Sequence, residues 1–315
     1  MLAAISVDLD EVALYRKIHG LPAPQGEGGP LVYRAALPRA FKLAERLGIP
    51  LTFFAVSRDL VDPTSASALR TAISLGHTVE SHSASHPYDL IRLGTERIRA
   101  EIRESFDDIE RAVGARPVGF RAPGYSLSDG VLDALEEAGA GFDASAFPCP
   151  AYYLAKLAVL GAMFERGRHS ASIVASPVQL FAPTEPYRPG KSWWRKGDRR
   201  LIEIPMRVTR GVRLPVIGTT LLYAGERGGP RLIDACGLPS SFSLELHGVD
   251  FLEPDDGVAD LAKHQIELTR PLAQRLRILE ACVLRLKKKG YKLVSLRDLA
   301  ASVAAAHAQR HIALY

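Results

Sequence analysis

Short apolar runs recur along the chain, and segments with helical periodicity separate several of them. The runs have the length and the β-branched and aromatic content of strands, and they occupy residues 3–9, 50–56, 77–82, 117–122, 201–206, 242–247 and 291–296. Between them, apolar positions repeat every three or four residues, which is typical of amphipathic helices. Alternating strands and helices indicate βα units. The pattern therefore predicts an α/β fold whose parallel sheet closes, or nearly closes, into a barrel.

The clearest predicted helix spans residues 95–114. Thr95 would cap its start and Gly114 its end. Its charged residues are interpreted as a solvated face, opposite an apolar stripe formed by Ile98, Ile102, Phe106, Ile109 and Val113. Another helix is predicted to begin at Ser128, and a long helix to precede the last strand.

The connection between the first two strands is irregular. Residues 22–30 are rich in Gly and Pro and are interpreted as a loop insertion. Residues 31–49 then predict a helix despite Pro38, with Gly48 as its C-terminal cap.

The second half of the chain holds another predicted insertion, at residues 177–198, which contains Trp193 and Trp194. This tryptophan pair would suit stacking on a sugar, insertion into a membrane, or a loop that covers the core. Residues 152–169 are apolar with flanking basic residues, so they predict a buried helix, with an interfacial helix as the alternative. No internal repeat or linker is recognisable. We therefore expect residues 1–315 to form one catalytic domain.

The composition is that of a globular protein, since 47% of the 315 residues are hydrophobic and 24% are charged. Three cysteines without paired spacing predict no disulfide framework. The first residues lack a basic signal-peptide region, and no apolar run reaches the roughly 18 to 20 residues of a bilayer span, so we expect a cytoplasmic protein. The formal charge of +5 fits an anionic substrate or a membrane surface. Nucleic acid is not expected as a partner, because no binding module for it is recognisable.

Two groups of potential metal ligands follow predicted strands. Asp8 and Asp10 end the first strand, where residues two apart share one face, and His82 and His86 follow the third. Strand ends form the active-site rim of a parallel barrel, and clustered carboxylates are tolerated there when a metal or an arginine neutralises one of them. Solvated carboxylates and structural histidines are the alternatives for each group alone. Together the two groups favour a divalent-metal site.

The chain resembles the polysaccharide deacetylases of the NodB-homology type, carbohydrate esterase family four. The family's first motif, Asp-Asp or Asp-x-Asp, is matched by "DLD" at 8–10. Its His-(Ser/Thr)-x-x-His motif is matched by "HSASH" at 82–86, and its Arg-x-Pro motif by "RAP" at 121–123. A late strand ending in a catalytic histidine is matched by "LELH", which ends at His247. Each motif is weak or moderate alone, but their order and their strand-end positions are specific. The resemblance spans most of the chain and implies a distorted, seven-stranded (β/α) barrel.

The resemblance also implies a metal centre. Asp10, His82 and His86 would hold one divalent ion, with Zn²⁺ expected, through one oxygen and two nitrogen atoms. Such a centre would leave a position open for polarising water and the substrate carbonyl.

Catalytic roles follow from the same resemblance. Asp8 would be the general base, with Arg121 pairing with it to orient the carboxylate and keep it ionised. His247 would protonate the leaving amine. A backbone N–H at Gly124 or Tyr125 would stabilise the oxyanion.

The chain departs from the family pattern at several positions. Leu9 separates the two aspartates, as in a subset that includes intracellular and lipid-linked-sugar deacylases. Gly248 replaces the Asp that often follows the last histidine, and Asp250 comes later. The family's fourth motif is faint, at Asp143, whose role is left open. Glu245 and Asp250 would suit a supporting role beside His247 or a ligand.

The expected activity is removal of an acetyl or formyl group from the nitrogen of an amino sugar. Hydrolysis of a non-sugar amide or cyclic amide is one alternative. A non-catalytic sugar-binding barrel is another, although the complete set of base, acid and ligands argues against it. Segment 152–168, the tryptophan pair and the net charge would also suit a sugar on an anionic lipid carrier, with peripheral contact at the inner membrane face. The acyl group, the sugar and the oligomeric state are left open.

Overall fold

A computed structural model of the protein describes residues 1–22 and 29–312. Most of the predicted insertion at 22–30 thus lies outside the described residues. A parallel sheet forms the centre of the fold, and its strands are β1 (Leu2–Asp8), β2 (Thr52–Ala55), β3 (Thr78–Ser81), β4 (Gly119–Phe120), β5 (Phe142–Asp143), β6 (Ile202–Glu203), β7 (Ser241–His247) and β8 (Lys292–Leu293).

The sheet has the order β6-β5-β4-β3-β2-β1-β7, and β8 pairs with the start of β1. The parallel strands curl into an incomplete barrel whose path has seven strands, as predicted. Strand β5 escaped the sequence analysis because residues 138–146 are mostly small and form no continuous β-branched or aromatic run.

Helices connect the strands and cover the sheet. They are α1 (Val12–Ile18), α2 (Leu37–Leu47), α3 (Pro63–Ser74), α4 (Thr95–Val113), α5 (Asp129–Glu137), α6 (Pro150–Glu165), α7 (Gly218–Ala235), α8 (Leu272–Lys288) and α9 (Leu296–Ile312). None of the helices in the described part of the chain is long and apolar enough to cross a bilayer.

Most of the predicted helix ends are found. Gly48 and Gly114 end α2 and α4 in the left-handed conformation that glycine adopts without strain. The Ser128 side chain accepts a hydrogen bond from Val131 N at the start of α5. The prediction for Thr95 was wrong, because Thr95 is the first helical residue and Gly94 is the cap, without a side-chain hydrogen bond.

The segment before α2 accommodates Pro38 in a specific way. Pro38 is the second residue of α2, where proline is tolerated because amides of the first helical turn lack an intrahelical acceptor. A π-helical turn at Val32–Ala36 precedes it. The predicted continuous helix is therefore a π-helical turn followed by an α-helix.

The insertion at 177–198 packs against the edge of the sheet. Tyr187 forms an antiparallel bridge with Glu203 of β6, which covers the backbone groups of this edge strand. Trp193 is buried in the apolar cluster beneath α4 and α5, and its amide donates to Asp129 Oδ1 over 2.6 Å. Of the roles considered for the tryptophan pair, covering the core is the one that Trp193 has here.

Helix α6 differs most from its prediction. A buried helix was expected at 152–169, yet none of the residues of α6 is buried. Leu154, Leu157 and Phe164 are 63%, 50% and 72% exposed. The apolar composition of the segment could not reveal this, because composition does not tell whether another element covers a helix.

Candidate metal and catalytic site

The predicted site residues meet at the carboxyl ends of the strands. Asp8 ends β1 directly opposite His247 at the end of β7. His82 follows β3, and Arg121 follows β4. A cleft of about 670 Å³ opens above these strand ends. Parallel strands thus bring together residues that lie far apart in the sequence.

The serines of "HSASH" build the loop that carries the two histidines. Ser83 Oγ accepts the His86 amide over 3.0 Å. Ser85 binds the buried Glu101 carboxylate of α4 through its amide and its hydroxyl, at 2.9 and 2.7 Å. Ser83 and His86 have φ of 69° and 57°, a strained conformation that these bonds help to hold. Glu101 is 1% exposed, so the interpretation of all charges on this helix as solvated was wrong.

Asp10, His82 and His86 direct their polar atoms to one point. Asp10 Oδ1 lies 3.2 Å from His82 Nε2 and 3.2 Å from His86 Nε2. His82 Nδ1 is 2.7 Å from the Arg121 carbonyl oxygen, to which it donates, so Nε2 is free to bind a metal. Among the described residues, Asp10 Oδ1 and His86 Nε2 are buried without a hydrogen-bond partner. Converging buried donors of this kind fit a divalent cation such as Zn²⁺.

Asp8 is held on the other side of this cluster by Arg121. Arg121 Nη1 donates to Asp8 Oδ1 over 2.6 Å and to Ser6 Oγ over 2.8 Å. The buried guanidinium lies 4.3 Å from the centre of the Phe54 ring. Burial, the largest effect, raises the pKa of Asp8, although Arg121 and His82 lower it. A carboxylate of raised pKa is a stronger base, and its position is fixed by the arginine.

His247 is paired with Glu245, two residues earlier on the same face of β7. His247 Nδ1 lies 2.7 Å from Glu245 Oε1, and the Tyr125 hydroxyl donates to the same oxygen over 3.0 Å. Burial lowers the pKa of His247, but the Glu245 carboxylate outweighs it and holds the pKa well above the ordinary value. Asp250 Oδ2 accepts the His247 amide over 2.9 Å. The imidazole is therefore protonated at neutral pH and suited to donate a proton.

The Glu245 pair leads to a prediction on pH dependence. An acid must be protonated, so activity is lost as pH rises through the pKa of His247. In Glu245→Gln the largest raising charge is gone, and the alkaline limb of kcat/KM should move to lower pH. Tyr125→Phe, which removes a neutral contact, should move it less. An unchanged alkaline limb in Glu245→Gln would mean that another group sets it.

The hydrogen bonds in the turn after β4 bear on which backbone amide could stabilise an oxyanion. Tyr125 N already donates to Ala122 O over 3.0 Å, so the assignment to the Tyr125 amide is not supported. The Gly124 amide remains as the predicted donor. Gly124 and Tyr125 both have φ of 60°, which for a tyrosine is a strained conformation. The Gly124 carbonyl accepts from Lys156 Nζ of α6 over 3.3 Å.

Asp143 lies behind the site. Its carboxylate accepts the hydroxyl of Ser145 over 2.7 Å and shares a hydrogen bond with the buried Glu203. Burial and the charge of Asp143 raise the pKa of Glu203 well above its ordinary value, so Glu203 is the protonated partner. The pair acts on Arg121 through its charge and does not line the cleft. No sequence signal singled out Glu203.

Comparisons with known proteins agree with this architecture. The family model described as polysaccharide deacetylase matches residues 27–142, which include the histidine loop and the Arg121 turn and cover less than half of the chain. No curated protein matches the chain.

Several solved structures share the fold. A candidate polysaccharide deacetylase from Mycobacterium smegmatis has a TM-score of 0.61 and 18% identity, over 97% of this chain and 91% of that one. A family 4 carbohydrate esterase pseudoenzyme from Bacillus anthracis has a TM-score of 0.49 and 13% identity, over 95% of this chain and 65% of that one. A family 4 acetyl xylan esterase from Clostridium thermocellum, in complex with cobalt, has a TM-score of 0.48 and 14% identity, over 95% of this chain and 90% of that one. Identities this low bear on the fold alone.

The sheet and its strand-end cluster define an α/β barrel of the NodB-homology type, as predicted. The matched segment belongs to the polysaccharide deacetylase family. The resemblance predicted from the motifs is therefore confirmed. This family supports a deacetylase that hydrolyses an amide.

Proposed function

We propose that the protein is a metal-dependent hydrolase that removes an acetyl or formyl group from the nitrogen of an amino sugar. The observation that carries the proposal is the buried Asp10, His82 and His86 cluster beside the Asp8 and Arg121 pair, with the protonated His247 next to it. A non-catalytic barrel would not need a base, an acid and metal ligands together. The family match supports the same reaction.

In the proposed reaction, Asp8 takes the proton from the attacking water while Arg121 keeps the carboxylate in place. A divalent ion held by Asp10, His82 and His86 would supply polarisation of the carbonyl and of the water. The Gly124 amide would stabilise the developing oxyanion.

His247 completes the reaction by donating its proton to the departing nitrogen. The C–O bond to the attacking water forms first and gives the oxyanion, and its collapse breaks the C–N bond, which gives a carboxylic acid and a free amine. Asp8 and His247 are kept in opposite protonation states by different neighbours. The base lies against an arginine, whereas the acid lies against Glu245.

The reaction can be tested with acetylated and formylated amino sugars, free and nucleotide-linked, scored by release of acetate or formate. Wild-type protein stripped by a chelator should lose activity and regain it with Zn²⁺. A cyclic amide and a non-sugar amide serve as comparison substrates. Turnover confined to these two would reject the amino-sugar assignment and retain the hydrolase.

We also propose that the outward side of α6 contacts an anionic lipid surface. Leu154, Leu157 and Phe164 are exposed there, and Arg166 lies at the end of the helix. Apolar side chains next to a basic residue are typical of interfacial helices.

The membrane contact predicts binding in a liposome co-sedimentation assay. The wild-type protein should sediment with vesicles that contain phosphatidylglycerol, more at low salt than at high salt, because the basic contribution is screened. Phe164→Ser should reduce sedimentation several-fold. Phe181→Ser, at an equally exposed phenylalanine outside α6, is the matched control and should not. Absence of sedimentation at both salt concentrations would reject the contact.

A further inference from the structure

The cleft above the metal ligands is chemically divided. At one end it is lined by carboxylates and imidazoles of the catalytic cluster. Along α6 its wall is mainly apolar, with Ala151, Ala155, Val159, Leu160 and Met163 beside Tyr152 and Lys156. The opposing wall includes further apolar side chains, at Ile18, Ile217 and Ile266.

Several polar side chains of the cleft away from the metal ligands are engaged by other protein atoms, whereas Glu267 Oε2 is buried without a hydrogen-bond partner. Gln265 lies 3.1 Å from His19 Nε2, and His19 stacks on His264. Thr219 donates to Glu267 at short range, and Thr220 donates to Pro215 O over 3.0 Å. A second sugar ring at this end would lose water from its hydroxyls and gain few hydrogen-bond partners in exchange.

Helix α6 supplies much of the apolar lining of the cleft, and only its first turn, at Ala151 and Tyr152, packs against a core cluster. It buries none of its residues, and Val159, which lines the cleft, is 58% exposed. Exposed apolar side chains along a cleft are stabilised by a ligand that removes them from water. The walls of the cleft along α6 and opposite it therefore match hydrocarbon better than carbohydrate.

We propose that the substrate carries an aliphatic chain that lies in the cleft along the inward face of α6. The proposal rests on the proposed N-acyl hydrolysis for the chemistry at the metal end and adds the class of substrate, an amphiphile. Two sources of the chain have the same chemistry. It can belong to the acyl group, and leave as a fatty acid, or to the aglycone, and stay with the amine.

Lys156 distinguishes these two sources. Its ammonium group lies where the catalytic end meets the apolar wall, over the Tyr152 ring at 5.9 Å and 3.3 Å from the Gly124 carbonyl. Lys156 is partly buried at the cleft wall, and the partial loss of water lowers its pKa to about 8. A phosphate between the sugar and an alkyl aglycone would meet this cation, whereas an N-acyl chain would carry no charge to it.

The test uses two substrate series below their micelle concentrations. One has N-acetyl, N-butanoyl, N-hexanoyl and N-octanoyl groups on methyl glucosaminide, and the other has methyl, butyl and octyl phosphate aglycones on N-acetylglucosamine. In the series whose chain occupies the cleft, kcat/KM should rise about two- to fourfold for each methylene group that enters the cleft. A rise in the first series assigns the chain to the acyl group. A rise in the second, which Lys156→Met reduces, assigns it to the aglycone.

A matched pair of variants tests the place of the chain. Leu160→Ser, in the cleft wall, should flatten the chain-length dependence. Leu157→Ser, the same change on the outward side of the same helix, should preserve it. Equal effects of the two variants would overturn the assignment to the inward face.

A binding measurement keeps the inference independent of turnover. In calorimetry, octyl glucoside should bind at least tenfold more tightly than methyl glucoside, and Leu160→Ser should abolish the difference. Equal binding of the two glucosides, with both kinetic series flat, would overturn the inference. Selective octyl binding without release of any acyl group would reject the proposed reaction and retain the apolar site.

Discussion

Replacing any one of Asp10, His82 or His86 by Ala is expected to remove the bound metal and the activity together. Each residue contributes one atom to a buried cluster whose donors lie within 4.8 Å of one another. Loss of a supporting partner of a metal ligand typically costs about 10–100-fold in affinity or activity, so loss of a ligand should cost at least about 100-fold. Metal content by mass spectrometry and acyl release by the same samples provide the measurement.

A third readout separates loss of metal from loss of fold. An ion that binds only the folded protein stabilises it, so Zn²⁺ should raise the Tm of wild-type protein and not that of the three variants. His77→Ala is the control, because His77 is buried at the opposite end of β3, where it accepts the Leu51 amide over 3.2 Å. Full metal retention in all three ligand variants would reject the centre.

The second large effect is expected from substitutions that remove the general base or the general acid and leave the metal ligands unchanged. Asp8→Asn and His247→Ala should each lower kcat/KM by about 10²–10⁴-fold while the metal content stays at the wild-type level. Asparagine keeps an oxygen for Arg121 but cannot take a proton. Burial raises the pKa of Asp8, so activity should appear as pH rises through that pKa and disappear as it rises through that of His247.

Each substitution should therefore abolish one limb of a bell-shaped profile, the acidic limb in Asp8→Asn and the alkaline limb in His247→Ala. The measurement is the residual rate across pH together with the metal content. Loss of the metal in Asp8→Asn would place Asp8 among the ligands. Because Asp8 Oδ2 lies 4.0 Å from His82 Nε2, measuring the metal content of Asp8→Asn is a necessary control.

The two pairs that set these pKa values differ in how visible they are in the sequence. The Asp8 and Arg121 pair was expected from the motifs, and the structure brings the two residues together. Glu245 was noted because residues two apart on a strand point the same way, but alternation alone could not show a contact of 2.7 Å with His247. A contact depends on side-chain conformations that the whole barrel determines.

The sequence by itself determined where most strands lie along the chain and that the candidate ligands lie at their carboxyl ends. These features depend on local patterns: apolar runs define the strands, and the Ser81 and Ser83 hydroxyls accept hydrogen bonds from backbone amides of the histidine loop. Such interactions form within a few residues, so their signal is present in the sequence.

Only the tertiary structure decided what covers each surface. Periodicity marks the apolar residues of α6 but cannot tell that one side lines a cleft and the other faces solvent. The burial of Trp193, the pairing of Asp143 with Glu203 and the engaged amide of Tyr125 likewise depend on distant or turn contacts. Burial is a property of neighbours brought together by folding, and for that reason the sequence indicates the chemistry of this site more directly than the shape of its substrate.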